Sequence, residues 1–304
     1  MALIKCIECG GTVSDKADFC PHCGCPKSTI NNTLNIDNSN YVCNMDDFEI
    51  IAGSLIKYTG HDKFIKIPDG VEKIVGTEKF GGWGWEGAFE NCKSIEGVII
   101  PNGVTGIYNL NAFRDCTNLK TVILPDSLTI IGDSAFRDCI NLDNVIIPNG
   151  TQNIDTCVFA GCSSLRKITI PNSVTSIGSG AFEDCISLEG IDIPNSVTLI
   201  CGSAFENCTK LNSVVLPDSV TEVRQTAFRN CISLKEVKLS NQLTEISDGA
   251  FAQCVALEKI DIPDSVIDIG FGAFEDCESF TIIASTNSYA KEFAERCNEK
   301  YQER

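Results

Sequence analysis

Short apolar–polar–apolar triplets alternate with longer polar stretches along most of this chain, and the alternation keeps a beat. The pair Ala-Phe marks it at Ala88-Phe89, Ala112-Phe113, Ala135-Phe136, Ala181-Phe182, Ala204-Phe205, Ala227-Phe228, Ala250-Phe251 and Ala273-Phe274, with Val158-Phe159 in the one gap. The step is 24 residues once and 23 thereafter. Three residues after each Phe stands a cysteine: Cys92, Cys116, Cys139, Cys162, Cys185, Cys208, Cys231, Cys254 and Cys277. Each period also carries an L-x-x-(V/I)-x-(L/I) core, as in Leu119, Val122, Leu124 and in Leu142, Val145, Ile147. That spacing predicts a short strand with inward-pointing columns, ended by residues such as Pro148, because proline cannot donate to a ladder. A second apolar pair follows, as in Val174 and Ile177, and Gly178 then turns the chain into the Ala-Phe segment.

A strict period between 20 and 29 residues with this core is the mark of a leucine-rich repeat. No rung can bury its apolar side alone, so neighbours must stack into one continuous core, advancing about 5 Å per rung. The predicted fold is an α/β repeat solenoid, a superhelix of about nine 23-residue rungs over residues 88–283. Residues 46–87 form an N-terminal cap and first rung, since DFEIIAGSLIKYTGHDKFIKIPDG alternates like a strand. In residues 284–304, Tyr289, Phe293, Cys297 and Tyr301 recur at helical spacing and predict a capping helix.

The wording IPNSVTSIGSGAFEDCISL resembles the BspA-like family of leucine-rich repeats, over about residues 62–283. The resemblance implies a curved solenoid with a parallel sheet on its concave side, used mainly for protein or surface recognition. For exported members it implies a surface adhesin.

On such a sheet one outward column is Ile99, Ile123, Ile146, Thr169, Asp192, Val215, Lys238 and Asp261. Its first three members would form an apolar patch that a partner covers, unless they only reflect the strand preference of β-branched residues. The first rung is longer than the others: Pro68 to Ala88 is twenty steps, whereas Pro125 to Ala135 is ten. The insertion GTEKFGGWGWEG holds Trp83 and Trp85, the only tryptophans. It is either part of a binding face, where Trp is enriched, or a lid on the solenoid end.

The chain has eighteen cysteines, of which the repeat accounts for nine. These read as a ladder of small buried hydrophobes, with redox switching as the alternative. Four others form two knuckles, Cys6-x-x-Cys9-Gly10 and Cys20-Pro21-His22-Cys23-Gly24, separated by ten residues. Four thiolates suit tetrahedral zinc, so residues 1–26 are expected to be a zinc ribbon with a structural metal. A rubredoxin-like iron site is the alternative. So small a module lacks the core to fold alone, and bound metal must supply much of its folding free energy. Residues 27–45, rich in Asn, Ser and Thr, read as a linker.

Net charge is −17, while residues 1–30 set Lys5, Lys16 and Lys27 against Glu8, Asp15 and Asp18, so the excess acid lies in the solenoid. That body repels phosphate backbones and makes nucleic acid an improbable partner, although a ribbon can serve nucleic-acid or transcription-linked proteins. No segment has the roughly 20 consecutive apolar residues of a membrane span. The start MALIKCIECG lacks an apolar signal core, which points to the cytoplasm. The only histidines are His22 and His61, and no nucleophile, base and orienting acid converge. The expectation is a non-catalytic scaffold that binds a protein partner.

Overall fold

The computed structural model describes residues 3–5, 12–14, 40–78, 85–108, 110–278 and 280–304. Two compact units divide at Tyr41 and Val42. In the first, Leu3–Lys5 pairs antiparallel with Thr12–Ser14. The four knuckle cysteines lie outside the described residues.

The second unit, Val42–Arg304, is a solenoid of parallel strands. One rung shows the logic. Leu165, Ile168, Ile170, Val174, Ile177, Ala181, Phe182 and Cys185 all point inward and are buried. The residues between them are polar or turn-forming, so each period closes one loop around an apolar centre.

Three sets of backbone hydrogen bonds join the rungs. Three-residue strands pair in parallel on one face, as in Phe64–Lys66 with Gly97–Ile99 and Gly97–Ile99 with Thr121–Ile123. Two-residue strands form a second ladder, continuous from Asn153–Ile154 through Ser176–Ile177, Leu199–Ile200, Glu222–Val223 and Glu245–Ile246 to Asp268–Ile269. At the third corner each Phe amide donates to the next rung's Ala or Val158 carbonyl, from Phe89 to Ala112 through Phe251 to Ala273. The nine phenylalanine rings from Phe89 to Phe274 stack nearly parallel, with neighbouring centroids 4.6 to 5.8 Å apart.

The polar letters of the repeat serve this geometry. Ser173, Ser196 and Ser219 each donate to a backbone carbonyl one rung back, those of Thr151, Val174 and Val197. The residue before every repeat cysteine adopts the left-handed conformation, with φ between 57° and 73°. Seven of these nine positions, Asn91, Asp115, Asp138, Asp184, Asn207, Asn230 and Asp276, are Asn or Asp, and the others are Gly161 and Gln253. Asn, Asp and Gly tolerate this region best, which accounts for the recurring Asp-Cys pairs.

Both strand ladders are interrupted between the same two rungs. Thr121–Ile123 is not bonded to Asn144–Ile146, nor Ile130–Ile131 to Asn153–Ile154. The rung that follows departs from the consensus. Buried Thr151 replaces the aliphatic residue seen at Val104, Leu128 and Val174, and Val158 replaces alanine. Of the three backbone sets only the Phe corner continues across, through Phe136 to Val158, with the Ser134 amide donating to the Thr156 carbonyl beside it.

The caps extend the core. Phe48–Ile51 and Ser54–Tyr58 form an antiparallel hairpin on the second ladder. The ring of Tyr58 lies 5.3 Å from Phe89 and continues the stack to Phe48. At the other end the expected helix is shorter than residues 284–304. It covers Tyr289–Cys297, starts at Ser288, whose hydroxyl accepts the Lys291 amide, and stops at Asn298 in the left-handed conformation. The chain then returns as the strand Lys300–Glu303, parallel to Thr281–Ala284. Tyr301 is therefore a strand residue, and its helical spacing from Phe293 is accidental. Phe293 packs edge-on against Phe274 at 6.2 Å and closes the stack. Arg304 forks onto Asp261 and Asp264, fastening this last strand.

Candidate interaction surface

On the three-residue strands the middle side chain is buried and its two neighbours face outward, as in Thr121–Ile123 and Glu236–Lys238. The outward side chains form a polar-to-apolar mosaic, here called the strand face. Ile99 and Ile123 are register partners and line a groove of about 430 Å³ together with Lys66, Asp69, Asn102 and Asp126. Ile146 stands one rung further, beyond the interruption. All three isoleucines are half-buried rather than exposed, since parallel neighbours at ladder spacing shield each other's flanks. The exposed apolar member of the column is Val215, at 56%.

Charges beside this groove are already paired. Glu96 accepts from both Lys63 and Lys120 at 2.8 Å, and Lys120 and Lys63 together hold its carboxyl down at about 2. Lys66 meets Asp69 at 2.8 Å.

A second, larger groove of about 900 Å³ opens further along the same face. Arg166, Lys167, Glu189, Gly190, Asp192, Val215, Asp218 and Lys238 contribute to its lining. It coincides with a rung that forms no strand, Gly190–Ile193, between Lys167–Thr169 and Ser213–Val215. Neither Gly190 nor this groove was anticipated. The signal available was the glycine itself, an interior strand position where a missing side chain often marks close approach of another backbone.

Within the Trp insertion, Thr77–Glu78 pairs antiparallel with Trp85–Glu86. Trp83 lies outside the described residues.

The repeat thiols are structural. From Cys116 to Cys277 each donates its S–H to the Phe carbonyl of the preceding rung at 3.0 to 3.2 Å. They are thus more than the small hydrophobes the spacing suggests. Burial pushes them up: Cys92 and Cys277, the less buried members, rise to about 11. Thiols held protonated are poor nucleophiles and poor redox sensors. His61 is exposed. Among the described residues no group of three or more His, Cys, Asp or Glu is placed to hold a metal ion, and no helix is long and apolar enough to cross a membrane.

A stack of short parallel strands repeating every 23 residues around one continuous apolar core defines a leucine-rich-repeat solenoid. The BspA type leucine-rich-repeat region matches residues 86–212 and 199–299, in six copies, and the chain belongs to that family. No curated protein matches it. Similar solved structures include a leucine-rich cell surface protein from Faecalibacterium prausnitzii A2-165, at 26% identity, covering 82% of this chain and 88% of that one, with a TM-score of 0.40. The leucine-rich-repeat protein of T. pallidum is 24% identical over 86% of this chain and 97% of its own, with a TM-score of 0.48. One from Bacteroides ovatus is 20% identical over 87% and 97%, with a TM-score of 0.31.

Proposed function

We propose that the chain is a non-catalytic scaffold that binds a protein partner through the strand face. The observation that carries this reading is the arrangement of outward strand residues into two grooves on one face, with the repeat's reactive groups turned inward as carbonyl-bound thiols. The mixed charges and half-buried isoleucines suit a protein surface better than a polyanion. The test is a pull-down with the full chain and an Ile123→Asp/Lys238→Glu variant. Partners retained equally by both would overturn the reading.

The N-terminal module fits a structural zinc site held by Cys6, Cys9, Cys20 and Cys23. The paired strands Leu3–Lys5 and Thr12–Ser14 bracket the first knuckle in sequence, as a hairpin that presents two thiolates would require. Zinc would supply folding free energy there and no chemistry. One equivalent of zinc in the purified chain, lost in a Cys20→Ser/Cys23→Ser variant, is the expected result. A cytoplasmic location agrees with the free state of all thirteen described cysteines. Cysteine alkylation in intact cells followed by fractionation tests it.

A further inference from the structure

The rung Gly190–Ile193 differs from its neighbours in its main chain. Asn144–Ile146 is bonded to Lys167–Thr169, and Ser213–Val215 to Glu236–Lys238. Between them the N–H and C=O groups of Gly190, Ile191, Asp192 and Ile193 make no hydrogen bond among the described residues. Main-chain groups left this way carry a desolvation cost that a partner can relieve. The rung is nonetheless anchored, because Ile191 and Ile193 are each only 9% exposed. The opening is confined to the strand face: on the second ladder Ser176–Ile177, Leu199–Ile200 and Glu222–Val223 are paired throughout.

Two further features make the gap accessible. Gly190 occupies an outward column that carries Thr121, Asn144, Lys167 and Ser213 in other rungs, and a Cβ built on it would meet nothing within 4 Å. Bare backbone therefore lines the groove at this point. The surrounding charges are also uncommitted. Arg166, Lys167, Lys238, Glu189 and Asp192 form no ion pair among the described residues, whereas those beside the Ile99–Ile123 groove are paired. Asp218 accepts from Asn241.

We propose that the open rung is a docking site for an extended peptide segment carrying both acidic and basic residues, which supplies main-chain hydrogen bonds to Gly190–Ile193. Strand addition of this kind takes affinity from backbone bonds and selectivity from flanking side chains. The mixture of signs around the gap favours a peptide over nucleic acid or an anionic lipid surface. This rests on the reading that the strand face binds protein, and assigns the contact to one place on it.

The probe is a peptide selected from a displayed library of random dodecapeptides against the immobilised full chain. Its affinity is measured for the wild type, Gly190→Thr, Lys167→Glu/Lys238→Glu, Ile123→Asp and Ile267→Ser, and again with alternate peptide amides N-methylated. Gly190→Thr and N-methylation are each expected to weaken binding about tenfold or more, equivalent to about 1.4 kcal/mol. A variant off the strand face, Ile267→Ser at an exposed position just before Asp268–Ile269, should change it by less than about twofold. In the free protein the amides of Ile191 to Ile193 should exchange faster than those of Val145 and Val214, which sit in paired strands, and slow when the peptide is bound. Loss of binding with Ile123→Asp but not with Gly190→Thr would overturn the inference and leave the strand-face reading intact. Slow exchange in the free protein, insensitivity to N-methylation, or a library that yields no binder would also overturn it, while the pull-down above judges the wider reading separately.

Discussion

The Cys208 thiol donates its S–H to the Phe182 carbonyl at 3.2 Å, and the same oxygen accepts the Cys185 amide from within its own rung, also at 3.2 Å. One backbone oxygen thus ties a turn to itself and to its neighbour. Replacing Cys208 with alanine removes the second bond and leaves a small void. Cys208→Ala is expected to cost about 1–2 kcal/mol, read as a lower urea midpoint with an unchanged slope.

The same thiols set an alkaline limit. Burial raises Cys139, Cys162, Cys185 and Cys208 above the ordinary thiol value of 9.0, so the folded state keeps protons that the unfolded chain loses. Stability is therefore full below pH 9 and falls as pH rises above it, by about 1.4 kcal/mol per pH unit for each such thiol. Urea midpoints between pH 8 and 10.5 should fall steeply. Cys208→Ala should reduce the slope.

Left-handed geometry before each cysteine predicts an unequal pair of variants. Asp276, at φ 59°, is exposed and makes no hydrogen bond through its side chain among the described residues. Asp276→Gly should be nearly neutral, and Asp276→Val should destabilise by about 1–2 kcal/mol. Thermal unfolding of the two side by side checks this.

Thr151 predicts a gain. Its hydroxyl reaches only the Leu128 carbonyl, at 3.5 Å, in a column otherwise filled by Val104, Leu128, Val174 and Val197. Thr151→Val should stabilise by about 0.5–1.5 kcal/mol, with slower hydrogen exchange around Asn153 and Ile154.

The period, the inward columns and the stacked core were legible because each depends on a spacing that repeats nine times. The N-terminal hairpin was legible only in outline: Leu55 and Tyr58 are both buried although three residues apart, and the pairing shifts register between Glu49 and Ile50, so strict alternation does not describe it. The C-terminal cap was not legible, because a single residue decides it. Asn298 stops the helix, and Tyr301, which also fits a helical register, pairs with Ile282 instead. Residue type at one position placed Ile99 and Ile123 on the same face but overstated their exposure. The open rung escaped notice because its defining property is the absence of backbone bonds, and only Gly190 hints at that.

Ring stacking, S–H contacts and the Phe-corner bonds all link a residue to its counterpart one period away. A solenoid built this way is also a ruler, in which the count of periods sets distance independently of what each surface displays. Removing residues 127–149, one period of 23, would join Asp126 to Gly150 and keep every side chain that lines either groove. The groove at Ile123 and the gap at Gly190 would move about 5 Å closer, with neither lining changed, so a partner that spans both would register the missing increment as a mismatch in length alone.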